Sequence, residues 1–271
     1  MNTVKVGLSL VVLLLLWIGN IFYFQRYQLE EPLFMKHYYS IQNIGNKLEF
    51  DLFYLVNKRE DVGVNRVRIP ALDLEAYPAW DHERSRLKYQ TVKSARLEWD
   101  ETSLATLDHQ AKVTEIEVEF TNGTRQRVDI GEIILNRVNM DQPYLHSQST
   151  GSSSDHTGFS LFREKEALQL VGLKQLPPNL APQNLTFQVN GQDINGEIQS
   201  DSFDPKPYLE VKYAFQFEKG DPRAQHVFGS DTIIEVQTDS GQMKEGILYL
   251  HYIPHWDDEA IKMLLNERRK E

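Results

Sequence analysis

Thr114–Gly123 reads TEIEVEFTNG, and Thr232–Gly241 reads TIIEVQTDSG. Apolar and polar residues alternate along both stretches, which is the period of a half-buried β-strand. Both end in dipeptides typical of tight turns, Asn-Gly and Ser-Gly. After a short charged turn each is followed by a second apolar stretch, GEIIL from Gly131 and GILYL from Gly246. Both regions therefore predict a β-hairpin, and they indicate a chain that is mainly β.

The likeness of the two hairpins also predicts an internal duplication. Five of the ten aligned positions are identical, namely Thr, Ile, Glu, Val and the final Gly. The alternative is that two unrelated hairpins share turn chemistry by chance. The duplication predicts two tandem β-sandwich domains of immunoglobulin-like size, each long enough to bury a core of its own.

Working outward, other short β-like segments recur at the spacing expected of sandwiches. We expect the first sandwich at residues 35–146 and the second at residues 158–256. Between them, Ser147–Thr157 reads SQSTGSSSDHT, a composition that predicts a flexible linker. The last segment, 257–271, predicts a short helix, capped by Asp257 or Asp258. We expect it to pack on the second sandwich rather than on a partner. The expected strands are 38–44, 48–56, 64–69, 87–99, 113–120, 127–135, 168–173, 185–189, 209–217, 232–238 and 246–253.

The N-terminal region predicts a membrane anchor. Val6–Phe24 contains 19 residues without a charge, and as a helix it would span roughly 28 Å, close to a bilayer's hydrocarbon core. A cleaved signal peptide is the alternative, but no small-residue cleavage site follows the apolar run. We therefore expect a cytoplasmic segment at 1–5, a single-pass signal-anchor helix at 6–24 and a juxtamembrane linker at 25–34. The positive charge of Lys5 and the amino terminus predicts that the bulk of the chain is extracytoplasmic.

Composition narrows the classes of partner. The formal net charge of −10 disfavours nucleic acid, and it disfavours binding of the domains to anionic lipid. The chain contains no Cys, which excludes disulfides, thiolate metal sites and a lipoprotein anchor. An exported protein without disulfides fits a bacterial cell envelope better than an animal cell surface.

No motif predicts catalysis, a cofactor or a metal. The sequence has no nucleophile elbow, P-loop, dinucleotide-binding glycine pattern or EF-hand loop. His251 and His255 are four residues apart, as on a metal-binding helix, but Pro254 argues against a helix there. No family is recognised from the sequence.

The best candidate for a binding site is the charged stretch DLEAYPAWDHERSR, from Asp73 to Arg86. Pro70 and Pro78 predict a long loop, and long loops with aromatic residues often carry function. Its aromatic rings would stack on a sugar while its acids bind hydroxyls, or both would simply close the edge of the first sandwich. The candidate ligand-binding residues are Asp73, Glu75, Tyr77, Trp80, Asp81 and Glu83.

Three classes of function follow from this organisation. The first, which we favour, is a non-enzymatic binding module with a protein partner at the outer membrane face. The second is an envelope enzyme acting on cell-wall glycan or peptide, with its acids converging near residues 73–86. The third is an accessory or sensor subunit of a membrane complex, associating through Gly19 and Asn20.

Overall fold

The computed structural model describes residues 3–44, 47–100, 110–137, 144–194 and 206–268. Within them the chain is mainly β, as the alternating pattern predicts. The elements are α1 (Thr3–Gln25), β1 (Leu33–Phe34), β2 (His37–Gln42), β3 (Lys47–Asn57), β4 (Val64–Ile69), β5 (Leu74–Ala76), β6 (Trp80–Arg86), β7 (Gln90–Asp100), β8 (Gln110–Phe120), β9 (Arg125–Asn136), β10 (Tyr144–Leu145), β11 (Ser147–Ser152), β12 (Thr157–Lys174), β13 (Leu185–Val189), β14 (Gln192–Ile194), β15 (Lys206–Phe215), β16 (Val227–Thr238), β17 (Met243–Tyr252) and α2 (Asp258–Arg268).

The first sandwich is built from strands β1 to β9. One sheet has the order β1-β3-β7-β6, and the facing strands have the order β2-β9-β8-β4-β5. Apolar side chains from both sheets form the first core, which includes Phe53 and Tyr54 from β3 and Phe120 from β8. The order β1-β3-β7-β6 corresponds to strands A-B-E-D of an immunoglobulin sandwich, and the order β9-β8-β4 corresponds to strands G-F-C.

The second sandwich uses one long strand in both of its sheets. The first half of β12 pairs with β11 and β15, and its second half pairs with β16. The register of the β12–β15 pairing shifts between Arg163 and Leu168, where β12 passes from one sheet to the other. The second core is separate from the first and contains Phe162, Phe187 and Leu248.

A single sheet continues from one sandwich into the other. Strand β2 lies parallel to β9 on one side and parallel to the start of β16 on the other. Because successive side chains of a strand face opposite sides, Val227 enters the first core and Phe228 the second. Gly131 makes the close approach of β9 to β2 possible, since its φ is +93° and a Cβ there would lie 2.6 Å from the His37 carbonyl oxygen.

The two hairpins with similar sequences occupy equivalent positions. Strands β8 and β9 form the first and β16 and β17 the second. Each is bordered by a parallel strand on its outer side, β2 beside β9 and β10 beside β17. The turn glycines, Gly123 and Gly241, have φ values of +82° and +83°. This correspondence is what an internal duplication predicts.

The segment predicted as a linker, 147–157, forms a hairpin instead. Strand β11 pairs antiparallel with the start of β12, so Ser147, Ser149 and Ser152 lie in an edge strand of the second sandwich. Gly151 sits against the ring of Phe159, where a Cβ would approach within 2.6 Å. The serine-rich composition led to the wrong prediction of a linker, because an edge strand can be polar on its outer face. Strand β10, at residues 144–145, also pairs with β17 and so bonds to the second sandwich.

The C-terminal helix α2 packs on the first core, not on the second sandwich as expected. The indole of Trp256 lies 5.3 Å from the ring of Phe53, and Ile261 and Leu265 are buried in the same core. Asp257 caps the helix as predicted, accepting from the N–H groups of Glu259 and Ala260. The predicted helix residues 269–271 lie outside the described residues.

Helix α1 is joined closely to the first sandwich. The Asn57 side chain accepts from the N–H and donates to the carbonyl of Leu29, both at 2.8 Å. Tyr27 stacks on Tyr89 with ring centroids 4.9 Å apart. The segment predicted as a juxtamembrane linker, 25–34, is therefore held by the sandwich, and β1 lies within it.

The prediction that residues 6–24 form a membrane-spanning helix comes from the sequence. In the described part of the chain, which gives the side chains of α1 only from residue 10 onward, no helix is long and apolar enough to cross a membrane.

Candidate functional site

The charged stretch 73–86 is not a loop, because β5 and β6 lie within it. Asp73 follows a short 3-10 turn in a left-handed conformation and pairs with Arg68 at 3.1 Å. Glu75 lies in β5 and pairs with Arg66 at 3.3 Å. Tyr77, between the two strands, is exposed. The sequence did not predict β6, because β6 is an edge strand whose side chains are mostly exposed. Its residues therefore do not alternate between apolar and polar.

The remaining predicted residues lie on β6, in the other sheet. The Trp80 ring contacts His82, with centroids 4.3 Å apart, and Glu83 pairs with Arg86 at 2.8 Å. Glu75 lines a depression of about 390 Å³ with Arg66, and the other five predicted residues do not line it. Their role in ligand binding stays a prediction.

Asp81 has a clear structural role. Its Oδ2 accepts from the buried Tyr54 hydroxyl at 2.5 Å and from the Val64 N–H at 2.7 Å.

We expect Asp81→Ala to lower the free energy of unfolding by about 2–4 kcal/mol, since two donors lose their acceptor in a buried place. Urea denaturation would measure the loss. In the Tyr54→Phe background the same substitution should cost about 1–2 kcal/mol less, and equal costs in both backgrounds would contradict this role.

A polar cleft lies where the two sandwiches meet. It has a volume of about 480 Å³ and is lined by β2 and β3 of the first sandwich and by β16 and β17 of the second. Clefts between packed units are common ligand sites because side chains of several elements converge there. The continuous sheet through β2 and β16 fixes the two walls relative to each other.

Most charges in the cleft are paired. The Arg96 guanidinium binds Glu49 and lies 3.4 Å from Asp51. Lys47 bridges Glu49 and Glu98, at 2.9 and 3.0 Å. The Tyr39 hydroxyl donates to the Asp51 carbonyl. These pairs leave the first-sandwich wall close to charge balance.

The second-sandwich wall carries an acid that is not paired with a cation in the described structure. Asp231 Oδ2 accepts the N–H of Gln42 at 2.8 Å. Burial raises the pKa of Asp231 to about 6. The Gln42 N–H and the positive charge of Arg96 oppose this rise, and repulsion from Glu49 adds to it. Tyr249 stands opposite Asp231 in the β16–β17 pairing and remains 49% exposed. A perturbed acid in a cleft marks a candidate functional site.

His251 and His255 belong to no metal-binding cluster within the described residues. His251 lies on β17 at the rim of the cleft, and His255 follows that strand. Asp257 is engaged as the helix cap. Across the described ranges, no group of three or more His, Cys, Asp or Glu side chains is placed to hold a metal ion.

A larger cavity, of about 680 Å³, lies on the second sandwich beside β11 and β13. Its lining is mainly Ser, Thr, Gly and Gln, and its acid, Asp193, accepts from Gln188 at 2.7 Å. Lys212 of this cavity pairs with Glu210 at 3.1 Å, and Asp193 is exposed whereas Asp231 is half-buried, so the cleft between the sandwiches is the stronger site.

Sequence reasoning missed the cleft residues because each reads as an ordinary strand position. Gln42 ends β2, Asp231 interrupts the apolar run of β16, and Tyr249 alternates outward from β17. The one available signal was Asp231, a carboxylate between Val227-Phe228 and Ile233-Ile234. Only the pairing of β2 with β16 brings these residues together.

Comparisons with known proteins do not assign a family. No family model matches the chain, and no curated protein matches it. Among solved structures, the fibronectin(III)-like modules of Clostridium thermocellum CbhA align over 84% of this chain and 98% of theirs, with 8% identity and a TM-score of 0.19. A chimeric titin tandem aligns over 80% and 98%, with 13% identity and a TM-score of 0.20. Scores this low carry no argument, so the fold rests on the strand pairings above.

Proposed function

We propose that this protein is a membrane-anchored binding module of a bacterial cell envelope, with two tandem immunoglobulin-like domains on the outer face. The single observation that carries the binding role is the cleft, where a half-buried acid without an ion pair in the described structure and an exposed aromatic ring lie side by side. Its rigid walls suit binding, because little order has to be gained when a ligand enters.

The anchor is supported by helix α1. Its large apolar side chains from Leu10 to Phe24 are exposed, with Trp17 and Phe22 the most open. Such a surface needs an apolar environment, and a bilayer supplies one. The bonds from Asn57 to Leu29 would hold the cleft at a fixed position relative to that anchor.

The lack of cysteine gives a direct test. A single His251→Cys substitution, at an exposed position that lines the cleft and leaves Tyr249 in place, can be labelled in intact cells with a membrane-impermeant maleimide that carries a photocrosslinker. We expect labelling without lysis, because the domain is outside, and a crosslinked adduct, because the cleft binds a ligand or partner. Tyr208→Cys is the matched control, since Tyr208 is 37% exposed on β15 and does not line the cleft.

The two parts of the proposal fail separately in this experiment. Labelling of the His251→Cys variant only after lysis would overturn the extracytoplasmic location. Equal crosslinking from positions 251 and 208 would overturn specific binding at the cleft. We expect labelling at both positions and an adduct only at position 251.

An enzymatic role is favoured by one observation. Asp231 has a raised pKa and lies near Glu49, and acid–base hydrolysis of glycans uses two carboxyl groups in unlike environments. Both acids are engaged, however, Glu49 by Arg96 and Lys47 and Asp231 by Gln42. The binding role therefore remains our first proposal.

A further inference from the structure

The outer face of the second sandwich carries a half-buried aromatic ring inside a wide cavity. Phe159 lies on β12, and Gly151, its partner on β11, has no side chain. Three atoms of the Phe159 ring lie 2.6, 3.2 and 3.4 Å from the place where a Cβ of Gly151 would be. The ring therefore lies over Gly151 and close to the sheet. Its other face is turned to the cavity of about 680 Å³ that both residues line.

The ring belongs to a row of residues that crosses five strands. The residues that pair along this row are Gly151, Phe159, Lys212, Gln188 and Asp193, from β11, β12, β15, β13 and β14. Paired residues have their side chains on one face of the sheet, and neighbouring strands are about 4.8 Å apart. The row therefore extends over roughly 19 Å, with the apolar ring near one end and amide and charged groups toward the other.

The next row gives the cavity a low floor between polar side chains. Ala214 pairs with Thr157 on one side and with Thr186 on the other, so a methyl group lies between two hydroxyl-bearing side chains. Gln216, which follows β15, lines the same end of the cavity. The Gln188 amide donates to Asp193 at 2.7 Å, and an amide also has a second N–H and a carbonyl oxygen. The cavity thus combines one apolar ring with hydroxyl and amide groups.

The charged side chains of the cavity do not favour an ionic ligand. Lys212 pairs with Glu210 at 3.1 Å, and Asp193 accepts from the Gln188 amide. Both Lys212 and Asp193 are exposed, so water solvates their charges, and an added ion of either sign would gain little from them. A neutral ligand with both apolar and hydroxyl groups fits this lining better.

We propose that this cavity binds a neutral oligosaccharide built of pyranose rings. The C–H groups on one face of a pyranose pack on the Phe159 ring, which removes apolar surface of both from water. The hydroxyl groups at the edge of the sugar exchange hydrogen bonds with the side chains of Thr186, Gln188 and Gln216. This site is separate from the cleft between the sandwiches, so the inference goes beyond the proposed function and does not depend on it.

The test uses the full chain in a polyoxyethylene detergent, which carries neither charge nor sugar. Ligand-observed NMR measures binding of cellobiose and of chitobiose, and sorbitol is the control, a polyol without a ring. We expect saturable binding of at least one disaccharide and no binding of sorbitol. Because no ion pair forms, the affinity should agree within about twofold between about 50 mM and about 500 mM NaCl.

Two variants disturb the ring in different ways. Phe159→Ala deletes it and should lower affinity about tenfold. Gly151→Ala keeps the ring but places a methyl group where it lies, so the ring must move and affinity should also fall. Phe159→Tyr keeps the ring face and should bind within about twofold of the native chain. Trp80→Ala is the matched control, because Trp80 is 38% exposed on β6 and does not line this cavity.

Four results would overturn the sugar site. They are no saturation by either disaccharide below about 10 mM, equal binding of sorbitol, unchanged affinity in both Phe159→Ala and Gly151→Ala, or loss of binding in Trp80→Ala instead. The last result would place the sugar on the stretch 73–86. The crosslink from position 251 tests the cleft alone, so either site can fail without the other.

Discussion

Acidification from pH 6.5 is expected to destabilise this protein through His37. The ring is fully buried, and its Nε2 accepts the N–H of Phe53 at 2.9 Å. Burial lowers the pKa of His37 to about 3. The unfolded chain therefore takes up a proton near pH 6.5 and the folded chain does not, so stability is full above pH 6.5 and falls by about 1.4 kcal/mol per unit below it. The total loss by pH 3 is about 5 kcal/mol, a large part of a typical domain's stability.

Other buried groups change the slope in known directions. Burial lowers the pKa of His226 to about 4, and it also lowers the pKa of His156 and His251, so these histidines add losses of the same sign. Asp231 has a raised pKa of about 6, so between pH 6 and its unfolded value the folded state holds the extra proton and gains stability as pH falls. Asp231 thus offsets one histidine, and we expect a net slope of at least about 1.4 kcal/mol per pH unit between about pH 6 and pH 4.5.

Urea denaturation at constant ionic strength over this range would measure the slope. His37→Gln keeps an acceptor for Phe53 but cannot be protonated, so the slope should fall by about 1.4 kcal/mol per pH unit. Asp231→Asn removes the offset, so the slope should rise by about the same amount. A His37→Gln variant with the slope of the native chain would show that His37 is not the group responsible.

Trp256→Ala is expected to lower the free energy of unfolding by about 3–5 kcal/mol, the usual loss for truncating a buried tryptophan. The indole is 7% exposed and connects α2 to Phe53 of the first core. Its removal leaves a cavity under the helix and weakens the burial of Ile261 and Leu265. Met263→Ala is the matched control on the same helix, since Met263 is 49% exposed, and it should change stability by less than about 0.5 kcal/mol.

Double-mutant cycles would show which core holds the helix. Trp256→Ala combined with Phe53→Leu should be non-additive by about 0.5–3 kcal/mol because the rings touch. The same substitution combined with Phe228→Leu, in the second core, should be additive. Coupling to Phe228 and not to Phe53 would place α2 on the second sandwich.

The alternating runs of apolar residues determined the β-class of the fold. Strands such as β3, β8 and β16 carry this pattern because one face of each is buried, so they are visible in any window of the sequence. The Asn-Gly and Ser-Gly turns fixed the two hairpins, since positive φ is accessible to glycine without strain. Asp257 likewise identified the start of α2, because helix capping is local.

Features that depend on distant residues were decided only by the tertiary structure. Edge strands β6 and β11 escaped recognition, because charged and serine-rich strands are stable only when a neighbour supplies their hydrogen bonds. The apolar stripe of α2 gave no information about which sandwich it covers. The cleft needed Gln42, Asp231 and Tyr249 to meet, and the Gln42 N–H bonds to a carboxylate 189 residues away along the chain. The local sequence pattern indicates which face of a segment is buried. Which other segment covers that face is determined by packing across the whole chain.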